Sequence, residues 1–192
     1  MKRLFAVALI GLVAAATLRG DIIPSFGGTS PGTGTNTVWN YTINITSDQQ
    51  VTTGDFFTIY DFGPFISGSN TQPSNWTFSS SLVTTPPTGT NPPDNPTLAN
   101  LTWTYTGTAT IPSSNLTGFS VTMATSQFQA APSTKTGFFA AQGTRSTGGT
   151  VGTKVNNVGQ LPVPVPIPEP TTVSLLAFAG VGAALRAIRR RS

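Results

Sequence analysis

The stretch Val38 to Thr46 sets Trp39, Tyr41, Ile43 and Ile45 against Asn40, Thr42, Asn44 and Thr46 in strict alternation. A period of two puts one set on each face of an extended chain, so one face is apolar and the other wet, as in a half-buried antiparallel strand. Gly54 and Asp55 punctuate a turn before Phe56 to Phe62, a run apolar on both faces, which predicts a central strand. Trp76 to Val83 alternates again, as do Leu101, Trp103 and Tyr105 with their threonines, and Phe119, Val121 and Met123 with Ser120, Thr122 and the nearby Thr125. Phe138 to Ala141 and Val151 to Val158 are further, shorter candidates, separated by glycine-rich sequence. No stretch between Asp21 and Pro170 keeps the i, i+3, i+4 spacing of an amphipathic helix. Seven or eight strands with Gly, Pro, Asn and Ser turns and no helical crossovers predict an all-β fold, an antiparallel β-sandwich with a jelly roll as the near alternative.

Prolines mark what lies outside that sheet pattern. Thr84 to Pro96 carries Pro86, Pro87, Pro92, Pro93 and Pro96, and so many missing amide donors cannot sit inside a sheet; an exposed loop is expected. Asp21 to Thr37 holds Pro24, Pro31 and four glycines with little periodicity, and reads as an ordered lead-in or a loose arm. From Pro162 to Pro170 proline takes every second position, which predicts an extended stalk of about 28 Å at about 3.1 Å per residue.

The two ends are greasy and basic. Met1 to Gly20 places Lys2 and Arg3 before the apolar run Leu4 to Ala16, the layout of a secretory signal peptide, with Ala14 and Ala16 as the small residues that cleavage after Ala16 would use. Val173 to Leu185 is apolar and uncharged and is followed by Arg186, Arg189, Arg190 and Arg191. As a helix it spans about 20 Å, short of a bilayer core of about 30 Å unless Thr171, Thr172 and a snorkelling Arg186 extend it. The arginines would stay on the cytoplasmic side and leave the domain outside. The expected organisation is therefore a signal peptide at 1–20, a lead-in arm at 21–37, a β-sandwich at 38–158, a stalk at 159–170, and a short transmembrane helix with its arginine cluster at 171–192.

Charge excludes one class of partner. The chain carries a formal charge of +4, yet its cations lie almost entirely at the ends; the middle keeps Lys135, Arg145 and Lys154 against Asp21, Asp48, Asp55, Asp61, Asp94 and Glu169, three cations to six acids. A mildly acidic domain has no basic face for nucleic acid. Charged residues are only 8% of the chain while Thr, Ser, Asn and Gly abound, which suits an exported β-protein. There is no cysteine and no histidine, so disulfides, thiolates, Ser-His-Asp triads and imidazole metal sites are excluded.

The remaining chemistry is thin. Asp48, Asp55, Asp61 and Asp94 could in principle supply the carboxylate pair of a glycoside hydrolase, but Asp48 and Asp55 flank turn-like sequence and Asp94 lies in the proline loop, where Asp serves backbone hydrogen bonds. No Asp-x-Asp-x-Asp run supports a calcium site, so neither a metal, a cofactor nor an enzyme is expected. Trp39, Trp76 and Trp103 could stack on sugar rings, although each is in phase with the apolar residues of its strand, as core residues are. Five Asn-x-Thr triplets, starting at Asn40, Asn44, Asn75, Asn100 and Asn115, read as a by-product of the alternation.

The order of parts at the end of the chain is specific: the proline stalk, the triplet Pro168-Glu169-Pro170, the apolar run and the arginines. It resembles the PEP-CTERM sorting signal of exported bacterial proteins, in which the same parts recur in that order. The resemblance covers about 30 residues, together with the N-terminal signal such proteins carry. It implies export from a Gram-negative cell, a membrane intermediate, and processing by an exosortase at Pro168, Glu169 and Pro170. The destination it implies is the cell surface or the extracellular polysaccharide matrix. The expected function is a non-catalytic structural or adhesive β-domain, with a carbohydrate-binding module or a permanently anchored ectodomain as alternatives.

Overall fold

The alternating residues of the sequence become buried faces of paired strands. The computed structural model describes residues 21–124 and 134–164. Among them are nine strands and no helix: β1 (Ile22–Pro31), β2 (Thr37–Ile45), β3 (Gln49–Gln50), β4 (Phe56–Tyr60), β5 (Trp76–Ser81), β6 (Asn100–Tyr105), β7 (Asn115–Met123), β8 (Thr134–Arg145) and β9 (Lys154–Pro164). The expected N-terminal signal helix and C-terminal transmembrane helix lie outside the described residues.

Every ladder is antiparallel. One sheet has the order β1-β2-β7; in the other, β5, β6, β4 and β8 are successive neighbours, with β3 and β9 also pairing with β8. The apolar faces of both sheets meet in one core that includes Ile22, Tyr41, Ile43 and Phe119 from the first and Phe57, Ile59, Leu101 and Trp103 from the second. Aromatic rings bridge the two layers. Phe57 stacks on Trp103 with centroids 5.1 Å apart, and Phe119 meets both Phe57 and Trp76 edge-on at 5.1 Å. Such pairs add about 0.5–1.5 kcal/mol each beyond the area they bury.

Three stretches differ from the sequence expectation, the first two for one shared reason. The lead-in is a strand: β1 pairs with β2 along its length, with a bulge between Phe26 and Gly28. The first half of the stalk is also a strand, because β9 runs to Pro164 and pairs with β8 up to Pro164↔Thr134. Proline is tolerated in a strand when its missing donor faces away from the neighbour. Arg145 N donates to Thr153 O, so the odd-numbered residues of β9 bond to β8 and Pro162 and Pro164 face outward. Likewise Thr46 N donates to Asp21 O, which turns Pro24 to the outer side of β1.

The proline loop after β5 is the third difference. It stays out of the sheets as its missing donors require, yet it is not simply exposed, since Pro87 and Pro92 are buried. It lies across the outer face of the larger sheet, where Asn156 Nδ2 of β9 donates to Thr88 O at 2.9 Å and Asn100 Nδ2 of β6 donates to Asp94 Oδ1 at 3.0 Å. This cover accounts for the two-sided burial of β4, whose Phe57 and Ile59 face the core while Thr58 and Tyr60 are buried as well.

Candidate functional site

The residues that carry the sorting reading, namely Ala14, Ala16, Pro168, Glu169, Pro170, Arg186, Arg189, Arg190 and Arg191, lie outside the described residues. What the structure describes is the platform from which the tail departs. Leu161 and Val163 of β9 are buried in the core, and β9 ends at Pro164, so three residues separate it from Pro168. Even a fully extended chain covers only about 14 Å over those four steps.

The four acids of the central domain are each engaged in holding the fold. Asp55 is fully buried, and its Oδ2 accepts from Thr52 N at 2.8 Å, Thr52 Oγ1 at 3.2 Å and Thr144 Oγ1 at 2.8 Å, while Oδ1 accepts from Lys154 Nζ at 2.6 Å. A carboxylate has about four acceptor sites, so Asp55 has none left for a substrate. Lys154 Nζ also donates to Thr52 Oγ1 at 3.0 Å and Thr144 Oγ1 at 2.9 Å, which employs all three of its hydrogens. The cluster pins the start of β9 to the turn before β4.

Asp48 accepts from Thr46 Oγ1 at 3.0 Å and sits 3.9 Å from Arg145 Nη1. Asp61 adopts a left-handed φ of 54°, which Asp tolerates, and its Oδ1 caps Asn95 N at 2.7 Å. Asp94 Oδ2 accepts from Thr84 N at 3.1 Å and closes the base of the proline loop. For Asp61 and Asp94 these are the side-chain-to-backbone roles expected of turn aspartates, whereas Asp48 bonds to side chains. Among the described residues, no three His, Cys, Asp or Glu groups converge on a point that could hold a metal ion.

Trp39, Trp76 and Trp103 are 3%, 5% and 0% exposed, so none offers a ring face to a sugar. The tryptophan platform on which a carbohydrate-binding module would rest is absent from the described surface. Of the Asn-x-Thr asparagines, Asn100 is buried, and Asn44 Nδ2 bonds Asn115 Oδ1 at 2.7 Å across β2 and β7.

Sequence reasoning missed the Lys154–Asp55 pair, and no spacing signal could have found it. It also missed a set of buried polar atoms without partners: Tyr60 Oη, Trp103 Nε1 and both side-chain polar atoms of Gln49. Desolvation, followed by the nearby Asp94 charge, pushes the Tyr60 hydroxyl up to about 12. Burial also raises Tyr41 well above the ordinary tyrosine value, with its hydroxyl donating to Pro162 O at 3.2 Å.

No protein-family model matches the chain. No curated protein matches it either. One similar solved structure is the collagen binding subdomain of the Enterococcus faecalis surface protein ACE, at 13% identity, covering 73% of this chain and 95% of that one with a TM-score of 0.28. A score this low carries no argument about fold or ligand; the all-β assignment rests on this chain's own strand pairing.

Proposed function

We propose that this chain is an exported surface or matrix protein, sorted through its C-terminal tail and carrying a β-domain that acts structurally or adhesively rather than catalytically. The observation that carries the reading is the order of parts at the chain end: Pro168-Glu169-Pro170, the uncharged run Val173 to Leu185, then Arg186, Arg189, Arg190 and Arg191. An exosortase-type enzyme is the processing partner, the membrane a transient one. Two features of the domain support a non-catalytic role. Asp48, Asp55, Asp61 and Asp94 are committed to internal bonds, and the chain has no histidine or cysteine.

Mass spectrometry of the mature C-terminus tests the sorting step. The surface form should end near Pro168 to Pro170; intact peptides crossing from Pro168 into Thr172 would instead identify a permanently anchored ectodomain. Hydrolysis of matrix polysaccharide by the purified protein would overturn the non-catalytic role.

A further inference from the structure

An antiparallel sheet presents unpaired amides along each edge, and proteins that stay apart block those edges with proline, charge or a covering loop. Among the described residues the long outer strands are β1, β7, β9 and β5, and three of them carry such a device. On β1 the outward positions include Pro24 and Pro31, and Ile22 O accepts from Asn157 Nδ2 at 2.9 Å. On β9 they include Pro162 and Pro164. The outward groups of β7 are occupied by the loop after β4: Thr71 and Ser120 exchange backbone bonds of 2.8 and 3.1 Å, Ile66 N donates to Thr122 O at 2.9 Å, and Thr122 N donates to Ser69 Oγ at 2.9 Å.

β5 has none of these. Thr106 N donates to Asn75 O, and the register from Trp76↔Tyr105 to Ser81↔Asn100 is unbroken, so Thr77, Ser79 and Ser81 bond to β6. The backbone groups of Trp76, Phe78 and Ser80 therefore point away from the sheet. Trp76 N is held by Pro73 O in a turn at 3.3 Å; nothing among the described residues bonds the outward groups of Phe78 and Ser80. The strand holds no proline, and the sequence from Phe62 to Pro93 holds no charged residue. Just beyond it stand Leu82 and Val83, 55% and 67% exposed.

We propose that the β5 edge pairs with β5 of a second copy of this chain, antiparallel about a two-fold axis, joining the two larger sheets into one. The occupant follows from self-complementarity. An antiparallel strand offers the same donors and acceptors to its own copy as to any other strand. The neutral stretch brings no like charges together, and it gives a charged partner nothing to recognise. The outer row Thr77, Ser79 and Ser81 forms hydroxyl-bearing cross-strand pairs with its copy, a favourable combination. Pairing in the register that sets Trp76 opposite Leu82 also covers the exposed leucine. The contact is isologous, so it closes at a dimer.

The test is the oligomeric state of the full chain in mild detergent, measured by light scattering over a concentration series. The wild type should pass from monomer to dimer. Ser80→Pro removes an outward donor and leaves the bonds to β6 in place, and it should weaken dimerisation at least about tenfold. Ser79→Lys, which changes the outer face without touching the backbone, should act likewise by setting lysines side by side, so a folding defect in the proline variant leaves the question answerable. Because the chain has no cysteine, Ser79→Cys adds a single reporter that faces its own copy in this register and should cross-link between copies under oxidation. A wild type that stays monomeric throughout overturns the proposal. So does a dimer that neither Ser80→Pro nor Ser79→Lys weakens, since another segment would then hold it.

Discussion

Lys154 Nζ lies 2.6 Å from Oδ1 of Asp55, a residue 99 positions earlier and wholly buried, while Lys154 itself is 40% exposed. The pair ties the last strand to the turn before β4. Removing the cation strands a buried carboxylate, a change that typically costs about 3–5 kcal/mol. Because Asp55 keeps its donors from Thr52 and Thr144 and Lys154 is partly exposed, Lys154→Met is expected to fall below that range, at about 2–3 kcal/mol by urea unfolding. Adding Asp55→Asn should recover part of that loss. Additive losses in the double variant would count against the pairing.

Tyr60→Phe should be neutral or slightly stabilising. The Tyr60 hydroxyl is buried and has no hydrogen-bond partner, so deleting it removes a desolvation penalty of about 1–3 kcal/mol and leaves the ring in place. A loss above about 1 kcal/mol on the same urea measurement would mean that the hydroxyl is satisfied after all.

Alkaline pH should unfold the domain through its tyrosines. A free tyrosine titrates near 10, whereas Tyr60 is held up to about 12 and Tyr41 is raised well above its usual value. The unfolded chain thus loses protons that the folded chain retains. This contribution to stability is complete below about pH 10 and disappears as pH climbs to about 12. Urea midpoints should fall over that window, tyrosinate absorbance should rise with unfolding rather than before it, and Tyr60→Phe should flatten the fall. A midpoint unchanged across the window would refute the assignment.

Gly159 and Gly137 leave room for their neighbours on the β8–β9 hairpin. A Cβ on Gly159 would stand 2.6 Å from Cε1 of Phe139, and one on Gly137 would stand 2.6 Å from Cγ1 of Val163. Phe139 is nearly fully buried, so Gly159→Ala forces a packed ring to move and should cost about 1–3 kcal/mol. Thermal unfolding of the variant would show it; an unchanged midpoint would mean that the ring has a free alternative rotamer.

How much of this was legible in the sequence depended on how far each cause reaches along the chain. β2 was readable because Trp39, Tyr41, Ile43 and Ile45 report their own burial by period alone. β4 showed its two-sided burial, but not the agent, since the loop that crosses its outer face between Asn156 and Asn100 lies about 30 residues on. The first half of β9 lay within the candidate Val151 to Val158, but its second half and β1 were not read as strands, in part because proline was taken as a sign against pairing. The overlooked clue was parity. Proline at every second position puts all the missing donors on one side, which is what an outermost strand permits, and Leu161 and Val163 between them supply the apolar face. The Asp55–Lys154 pair was invisible for a different reason, since it depends on a register between strands that no local pattern encodes. The tail's own residues could be read only as sequence.

β9 closes the domain late in synthesis and early in its consequences. It supplies Leu161 and Val163 to the core, the cation for Asp55, and through Asn157 a bond to Ile22 near the start of the domain. A nascent chain that has emerged only as far as β8 therefore lacks its last core residues and holds an uncompensated acid. The last strand thus acts as the keystone of the domain: however early the other strands pair, the sandwich cannot lock until β9 is in place.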